Sequence, residues 1–269
     1  MHHPPVSELR LPAVQAALRA GSEIMQVYAG TDYQLSYKTD ASPLTEADQR
    51  AHAVIMDRLE PTALPVLSEE GSELVYAERH HWTRLWIVDP LDGTKEFIKK
   101  NGEFTVNIAL IVNQRPCFGV IYAPDLQQLY FGGPAFGSFC CRIGWEACPE
   151  DLQDLAPQAL PLPGRQQRHD YVIMASRSHL TPEVQAFAEN KKKEHPRVTF
   201  ISAGSSLKIC RVAEGSADIY PRLGPTMEWD TAAGQAIAEG TGKQLTDWET
   251  GLALRYNREQ LVNPWFVVS

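Results

Sequence analysis

The chain has 269 residues, of which 43% are hydrophobic and 22% are charged, and its formal net charge at pH 7 is -8. A chain of this length and composition can bury a substantial core as one large domain or two smaller ones. The negative charge argues against binding to polymeric nucleic acid, which needs a basic face, but bound divalent cations could still attract a small anionic substrate.

The first half of the chain is predicted to form two helices followed by a sheet. Apolar residues recur at helical spacing over residues 7–28 and 45–59, and Pro61 ends the second of these helices. Short apolar runs at 65–68 and 84–88 end in acidic residues, as buried strands do when they deliver side chains to a rim. An antiparallel meander is predicted next, because turn-like residues separate its strands. Its strands are expected at residues 104–112, 117–122 and 128–131.

The second half of the chain alternates strands and helices, which is typical of an α/β arrangement. Residues 149–168 are rich in Pro, Gln and Leu without a clear period, and we interpret them as a linker. We therefore expect an N-terminal α+β part at residues 1–165 and a C-terminal α/β part at residues 166–269. Strands are expected at residues 171–175, 198–202 and 217–220, and helices from residue 181, at 206–214 and at 230–238, before a terminal strand.

The strongest local pattern is a hydrophobic strand that leads into Asp89 and Asp92. Pro90 is expected to end the ladder pairing, and Gly93 permits a tight turn. Two carboxylates three residues apart at such a turn can converge on one point, where they are stable if protonated or bridged by cations. Mg²⁺ prefers hard oxygen ligands, so these carboxylates and the backbone carbonyl of Leu91 suit it.

Further acidic residues strengthen this interpretation. Glu69 and Glu70 follow another short apolar strand, and Asp230 lies at the start of an Ala-rich helix. The simpler alternatives are a surface turn for the aspartates and a helix N-cap for Asp230. Acidic groups at several strand ends and helix starts favour two-metal phosphoryl transfer, in which metals about 3.5–4 Å apart activate water and stabilise the leaving oxygen.

These motifs resemble the inositol monophosphatase superfamily of Mg²⁺-dependent, Li⁺-sensitive phosphatases. The resemblance is carried by Glu69-Glu70, by Asp-Pro-Leu-Asp-Gly-Thr at residues 89–94 and by Trp229-Asp230. It covers nearly the whole chain and implies a layered αβαβα sandwich, of mixed α+β and α/β character, of the inositol monophosphatase and fructose-1,6-bisphosphatase type. Similarity to one branch, the bacterial 3'(2'),5'-bisphosphate nucleotidases of the CysQ type, is greatest at residues 66–70, 89–100, 101–109, 204–208 and 220–226.

The resemblance implies a site for two or three Mg²⁺ ions between the two parts of the chain. Glu69, Asp89 and the carbonyl of Leu91 would bind the first metal. Asp89 would bridge to a second metal, which Asp92 and Asp230 also hold. The C-terminal part thus supplies the last metal-binding aspartate, and the N-terminal part supplies the others.

The resemblance also implies a nucleophile, which is a water molecule activated by the metal. Thr94 and Asp48 would orient this water with help from Glu70, and the backbone N–H groups of Gly93 and Thr94 would receive the phosphate. Asp48 equally fits a capping box that begins at Thr45, and both roles can coexist in one side chain.

A second anion site is predicted in the C-terminal part. Gly204, Ser205 and Ser206 join a strand to a helix, and such a turn presents free N–H groups and a positive dipole end to an anion. Lys208 lies in the first helical turn, and Arg222 is expected in a loop. We expect these residues to hold the second phosphate and the sugar, with the scissile 3'-phosphate at the metals near Asp230. The alternatives are helix capping by the serines and solvated surface charges. Weaker candidates for the mouth of the site are Lys38 and Lys95.

The predicted reaction is Mg²⁺-dependent hydrolysis of adenosine 3',5'-bisphosphate to AMP and phosphate, and also of the sulfated relative of this nucleotide, within sulfur metabolism. One alternative is an inositol or sugar-bisphosphate phosphatase of the same superfamily. Another is a regulator that binds nucleotide or metal without catalysis.

The protein is expected in the cytoplasm without a transmembrane segment, because no apolar run approaches the roughly 20 residues needed to span a bilayer. The first residues lack the pattern of a signal peptide, and five cysteines suit reduced thiols. Loose attachment to the inner membrane face, implied for some relatives, finds no amphipathic basic helix here. The sequence leaves the oligomeric state open.

Overall fold

The structure, a computed structural model, describes residues 4–30, 35–37, 43–71, 74–164, 169–176 and 181–269. Lys38, a candidate for the mouth of the site, lies outside the described residues. The described helices are α1 (Val6–Ala29), α2 (Glu46–Leu59), α3 (Tyr76–Arg79), α4 (Thr94–Ile98), α5 (Pro182–Glu194), α6 (Leu207–Ala213) and α7 (Glu228–Glu239). The described strands are β1 (Leu35–Tyr37), β2 (Pro43–Thr45), β3 (Val66–Ser68), β4 (Arg84–Asp92), β5 (Thr105–Val112), β6 (Arg115–Ala123), β7 (Gln128–Gly133), β8 (Gly137–Arg142), β9 (Leu160–Leu162), β10 (Tyr171–Ser176), β11 (Val198–Ala203), β12 (Tyr220–Arg222), β13 (Leu245–Asp247) and β14 (Phe266–Val268).

The largest sheet has seven strands in the order β3-β4-β5-β6-β7-β8-β9. Strands β3 and β4 are parallel, and every other neighbouring pair in this sheet is antiparallel. The predicted meander is therefore confirmed as β5, β6 and β7. Strand β8 is not among the strands predicted from the sequence, and the interpretation of residues 149–168 as a linker is wrong at β9. Strand β9 is too short to show an alternating pattern, and Pro161 is tolerated there because β9 lies at the sheet edge.

Helices cover both faces of this sheet, and the alternating side chains of β4 show how. Trp86 and Val88 belong to the core formed with α1 and α2. Leu85 and Ile87 point into a second core, which α6 and α7 complete. Successive side chains of a strand face opposite sides of the sheet. Because helices cover both sides here, apolar residues are needed at successive positions, which explains the continuous apolar run in β4.

Two smaller sheets lie beyond α6 and α7. One pairs β10 with β11 in parallel, and the other has the order β12-β14-β13. Helix α5 packs on the outer side through Ala188, which contacts Ile173 of β10 in a third apolar cluster. The layers thus follow the order helix, sheet, helix, sheet, helix, and the predicted αβαβα sandwich is confirmed.

The second core joins residues from both sides of the predicted boundary after residue 165. It contains Ile121 and Tyr130 of the large sheet together with Ile237 and Phe266 from the C-terminal part. Shared apolar packing of this kind fixes the two parts relative to one another, which any site built between them requires. In the described residues, no helix combines the length and the apolar character needed to cross a membrane.

The position of β12 corrects two expectations. The strand predicted at residues 217–220 lies at Tyr220–Arg222, and Arg222 therefore ends a strand rather than lying in a loop. Its partner is β14, nearly 50 residues further along the chain, so local sequence does not reveal the pairing. Pro221 fits because β12 is an edge strand of its sheet.

Candidate active site

A β-bulge brings the two aspartates of β4 to the same side of the sheet. Asp89 lies opposite Asn107 and Asp92 lies opposite Thr105, so two residues of β4 face one residue of β5 between them. In a regular strand, residues three apart point to opposite faces, and the extra residue restores a common face. The expectation that Pro90 ends the ladder is wrong, because the proline lies in the bulge, where no ladder N–H is required.

Asp230 joins these aspartates from α7. One carboxylate oxygen from each of Asp89, Asp92 and Asp230 lies within 4.8 Å of the others. Asp230 is the third residue of α7, and its Oδ2 accepts a hydrogen bond of 2.8 Å from the backbone N–H of Met227. The carboxylate therefore caps the helix from inside its first turn instead of from the N-cap position.

Glu69 lies beside Asp89 because β3 and β4 are parallel and end at the same edge. Ser68 is opposite Val88, and the Glu69 amide donates a hydrogen bond of 3.1 Å to the Val88 carbonyl. The Glu69 and Asp89 carboxyl groups are also hydrogen-bonded to each other. Glu70 follows in the same turn and is half-buried. Glu69 therefore lies next to Asp89 of the acidic cluster. The metal-binding roles given to Glu69 and the three aspartates, and the role given to Glu70, stay predictions.

The electrostatics of this cluster match a divalent cation. Burial, followed by the charges of Glu69, Asp92 and Asp230, raises the pKa of Asp89 well above its usual range. Burial and the charge of Asp92 raise the pKa of Asp230 to about 8. Buried carboxylates this close repel one another unless a proton or a cation lies among them. Because every donor is a hard oxygen, the residues present fit Mg²⁺.

The residues predicted to handle water and phosphate lie around the turn after β4. Gly93 has φ of +91°, a left-handed conformation that favours glycine, and Thr94 begins α4. The Thr94 hydroxyl donates a hydrogen bond of 3.4 Å to the carbonyl of Leu91, the predicted metal ligand. The Asp48 carboxylate is buried and accepts hydrogen bonds from the Thr45 amide at 2.7 Å and the Thr45 hydroxyl at 2.5 Å. The capping box is thus present, and the catalytic role of Asp48 stays a prediction.

A cavity of about 340 Å³ extends from the acidic cluster towards a cationic region. Its lining includes Asp92 and Asp230 of the acidic cluster and the cationic side chains of Lys208 and Arg222. A second cavity of about 450 Å³ shares Asp92 and Asp230 and adds Glu69. Other residues that line the first cavity are Gly93, Lys95, Glu96, Lys99, Ser205, Ser206, Ile209, Tyr220, Thr226, Thr231 and Phe266.

The cationic region contains buried donors that other side chains do not satisfy. Among the residues that the structure describes, neither Nε of Arg222 nor the Ser205 hydroxyl has a hydrogen-bond partner, although both atoms are buried. The Lys208 ammonium donates a hydrogen bond of 2.6 Å to the Ser205 carbonyl, and Nη2 of Arg222 donates one of 2.9 Å to the Pro225 carbonyl. Burial lowers the pKa of Lys208. Buried donors without partners cost free energy, and an anionic ligand would satisfy them.

Two residues of the predicted anion turn are engaged by protein groups instead. The Gly204 amide donates a hydrogen bond of 2.8 Å to the Glu103 carboxylate, so the free amide expected at Gly204 is not found. The Ser206 hydroxyl is buried and bonds to Asp92 at 2.6 Å. Glu103 and Asn107, which bond to this turn, are not among the site residues predicted from the sequence. A polar residue within the apolar run of β5 was a sign that could have identified Asn107.

Comparisons with known proteins agree with this geometry. The inositol monophosphatase family model matches residues 6–266. The chain is 46% identical over 259 residues to the Escherichia coli K12 protein named 3'(2'),5'-bisphosphate nucleotidase CysQ, which covers 95% of this chain and 97% of that protein. It is 33% identical over 257 residues to the protein of the same name from Haemophilus influenzae, covering 94% of this chain and 89% of that protein. The crystal structure of CysQ from Bacteroides thetaiotaomicron, titled as a bacterial member of the inositol monophosphatase family, matches with a TM-score of 0.89 at 49% identity, covering 97% of both chains.

Proposed function

The chain belongs to the inositol monophosphatase family, and on that basis we propose that it is a Mg²⁺-dependent 3'(2'),5'-bisphosphate nucleotidase. The family predicted from the sequence motifs is thereby confirmed. The proposed reaction is hydrolysis of the 3'-phosphate of adenosine 3',5'-bisphosphate to AMP and phosphate. The sulfated relative of this nucleotide is a proposed further substrate. A cytoplasmic location stays a prediction from the sequence.

One observation carries the proposal about substrate. A single cavity joins a cluster of carboxylates, which suits metal-assisted phosphoryl transfer, to a region of buried cationic donors. A substrate with one phosphate would leave Nε of Arg222 and the Ser205 hydroxyl without partners. A substrate with two phosphates would satisfy both ends, because phosphate oxygens accept charge-assisted hydrogen bonds from Arg and Lys.

At the reacting end, the proposed two or three Mg²⁺ ions would be held by Glu69, Asp89, Asp92, Asp230 and the carbonyl of Leu91. When bound, these ions would neutralise charge on the phosphate and acidify a water molecule. The protein residues would act by orienting the substrate and the attacking water, since phosphoryl transfer needs orientation and charge neutralisation more than covalent chemistry.

The attacking water would be oriented by Thr94, Asp48 and Glu70. The hydrogen bonds from Thr45 hold the Asp48 carboxylate in one rotamer, so capping and catalysis are compatible for this side chain. The backbone N–H groups of Gly93 and Thr94, at the start of α4, would bind the phosphate under attack.

At the other end, Lys208, Arg222 and the Ser205 hydroxyl would bind the second phosphate. Gly204 would contribute by its shape: a Cβ added there would lie 2.7 Å from the Glu103 carbonyl oxygen, so a side chain at this position would displace the turn. Lys95 is exposed at the edge of the cavity and stays a weaker candidate.

The test is phosphate release from a substrate panel with and without Mg²⁺. The panel contains adenosine 3',5'-bisphosphate, adenosine 3'-monophosphate, inositol 1-phosphate and fructose 1,6-bisphosphate. We expect Mg²⁺-dependent release that is fastest with the bisphosphate nucleotide. A preference for inositol 1-phosphate or the sugar would reject the substrate claim and support the other phosphatases of the family.

A matched pair of variants distinguishes an enzyme from a non-catalytic regulator. Asp92→Asn should abolish turnover while the chain stays folded, because it removes a carboxylate from the proposed metal site. Asp57→Asn, on the exposed side of α2, should behave like the original protein. Absence of turnover in the original protein on the whole panel, with Mg²⁺ and nucleotide still bound, would support the regulator.

A further inference from the structure

The Ser206 hydroxyl lies at the junction between the two halves of the acidic cluster. Its oxygen is 2.6 Å from Oδ2 of Asp92, on the large sheet. The same oxygen is 2.9 Å from the backbone carbonyl oxygen of Asp230, in α7. Ser206 is 3% exposed, so water does not compete effectively for these contacts.

A short chain of hydrogen bonds fixes the orientation of this hydroxyl. The Thr105 hydroxyl donates to Oδ1 of Asn107 at 3.0 Å, which directs Nδ2 of Asn107 the other way. Nδ2 then donates to the Ser206 oxygen at 2.8 Å, and it also lies 3.4 Å from Oδ2 of Asp92. Because the Ser206 oxygen already accepts from Asn107, its single proton is left to donate, and the shorter contact is with Asp92.

The β-bulge explains why these residues meet. Asn107 and Thr105 lie opposite Asp89 and Asp92 on the neighbouring strand, with the bulge between the two pairs. Their side chains therefore reach the face on which the acidic residues converge. Ser206 approaches the same face from the start of α6 and closes the chain of hydrogen bonds.

We propose that Ser206 is a positioning residue for Asp92, held in place by Asn107 and Thr105, rather than a ligand of the second phosphate. The inference rests on the proposed function in one respect, that Asp92 binds Mg²⁺. Donors that hold a metal-binding carboxylate fix its rotamer before the metal arrives, and losing such a donor weakens metal binding.

The geometry separates this role from the one expected for Ser205. Both serines line the cavity. Only the Ser205 hydroxyl has no hydrogen-bond partner among the described residues, which leaves it available to a ligand. The Ser206 hydroxyl has its proton and its oxygen occupied by protein groups. Adjacent serines therefore serve different ends of one site.

The experiment measures Mg²⁺ binding to the full chain by calorimetry, without substrate, and then steady-state kinetics. Ser206→Ala should weaken Mg²⁺ binding by about 10–100-fold, the usual effect of removing a group that orients a metal ligand. Its KM for the bisphosphate nucleotide at saturating Mg²⁺ should stay within about twofold. Ser206→Thr, which keeps the hydroxyl, should restore most of the Mg²⁺ affinity.

Ser205→Ala provides the contrast, because it should raise KM for the nucleotide and leave Mg²⁺ binding unchanged. If Ser206→Ala does not fold, Asn107→Ala replaces it, and the same loss of Mg²⁺ affinity is expected. The inference is overturned if the folded variant binds Mg²⁺ as the original protein does, or if only its KM for the nucleotide rises. Failure of the original protein to bind Mg²⁺ would instead overturn the proposed function.

Discussion

Replacing Arg222 with alanine should reveal which phosphate of the substrate the cationic region holds. The Arg222 side chain is half-buried in the cavity, one Nη group is engaged by the Pro225 carbonyl, and buried Nε has no partner among the described residues. A phosphate at this position would thus accept at least one new charge-assisted hydrogen bond from Nε. Such a bond contributes about 1.5–3 kcal/mol.

That free energy corresponds to a loss of about 10–150-fold in kcat/KM, since about 1.4 kcal/mol changes an equilibrium constant tenfold. We expect this loss with adenosine 3',5'-bisphosphate. Adenosine 3'-monophosphate, which has no second phosphate, should be hydrolysed with nearly unchanged kcat/KM. The assay is phosphate release from both nucleotides at saturating Mg²⁺, with substrate well below KM.

Arg197→Ala is the matched control, because Arg197 is exposed and pairs with Asp170 on the surface. An equal loss on the two nucleotides in Arg222→Ala would refute the reasoning, because it would mean that Arg222 acts on the metal end of the cavity. An unchanged kcat/KM for the bisphosphate would exclude Arg222 as a ligand of the second phosphate.

Three further predictions concern stability. Without Mg²⁺, the melting temperature should fall as pH rises from about 4 to 8. The reason is that the pKa of Asp230 is raised to about 8 in the folded chain, which therefore keeps a proton that the unfolded chain releases. Added Mg²⁺ or Asp230→Asn should flatten this slope, and a slope unchanged by both would contradict the prediction. Gly93→Ala should reduce the free energy of unfolding in urea by about 1–3 kcal/mol, since φ is +91° and the new methyl group would lie 3.2 Å from Cβ of Ser205. Glu228→Ala should cost about 1–3 kcal/mol in the same assay, because the buried carboxylate accepts hydrogen bonds from the backbone amides of Asn257 and Arg258 at 2.6 and 3.0 Å, and its loss leaves these donors unsatisfied. Glu228→Gln, which keeps an acceptor oxygen, should cost less.

The acidic cluster could be predicted from sequence because each of its residues has a strong local context. Asp89 and Glu69 end apolar runs that must be buried strands, and Asp230 opens an Ala-rich helix. Strands end where the chain reaches the rim of a sheet, so acids at several such ends are brought together by the topology itself. The resemblance to the family then predicted which of these acids bind each metal ion.

The partners of individual polar atoms could not be predicted from sequence. The Gly204 amide bonds to Glu103, 101 positions away, and the Ser206 hydroxyl bonds to Asp92, 114 positions away. Hydrogen-bond partners separated this far in sequence follow from the packing of layers, and no local pattern records them. For that reason the sequence does not reveal that the Ser206 hydroxyl is bonded to protein groups while the Ser205 hydroxyl is not.

The sequence alone therefore determined the chemistry of the site, since residue type and the order of apolar runs decide which carboxylates are buried and where. The register of the strands was decided by the tertiary structure alone. It places the bulge that turns Asp92 to the side of Asp89, and it places Arg222 at the end of an edge strand. Register depends on pairing between distant segments. A single added residue reverses the face of every side chain that follows it, and only the folded sheet specifies where that residue lies.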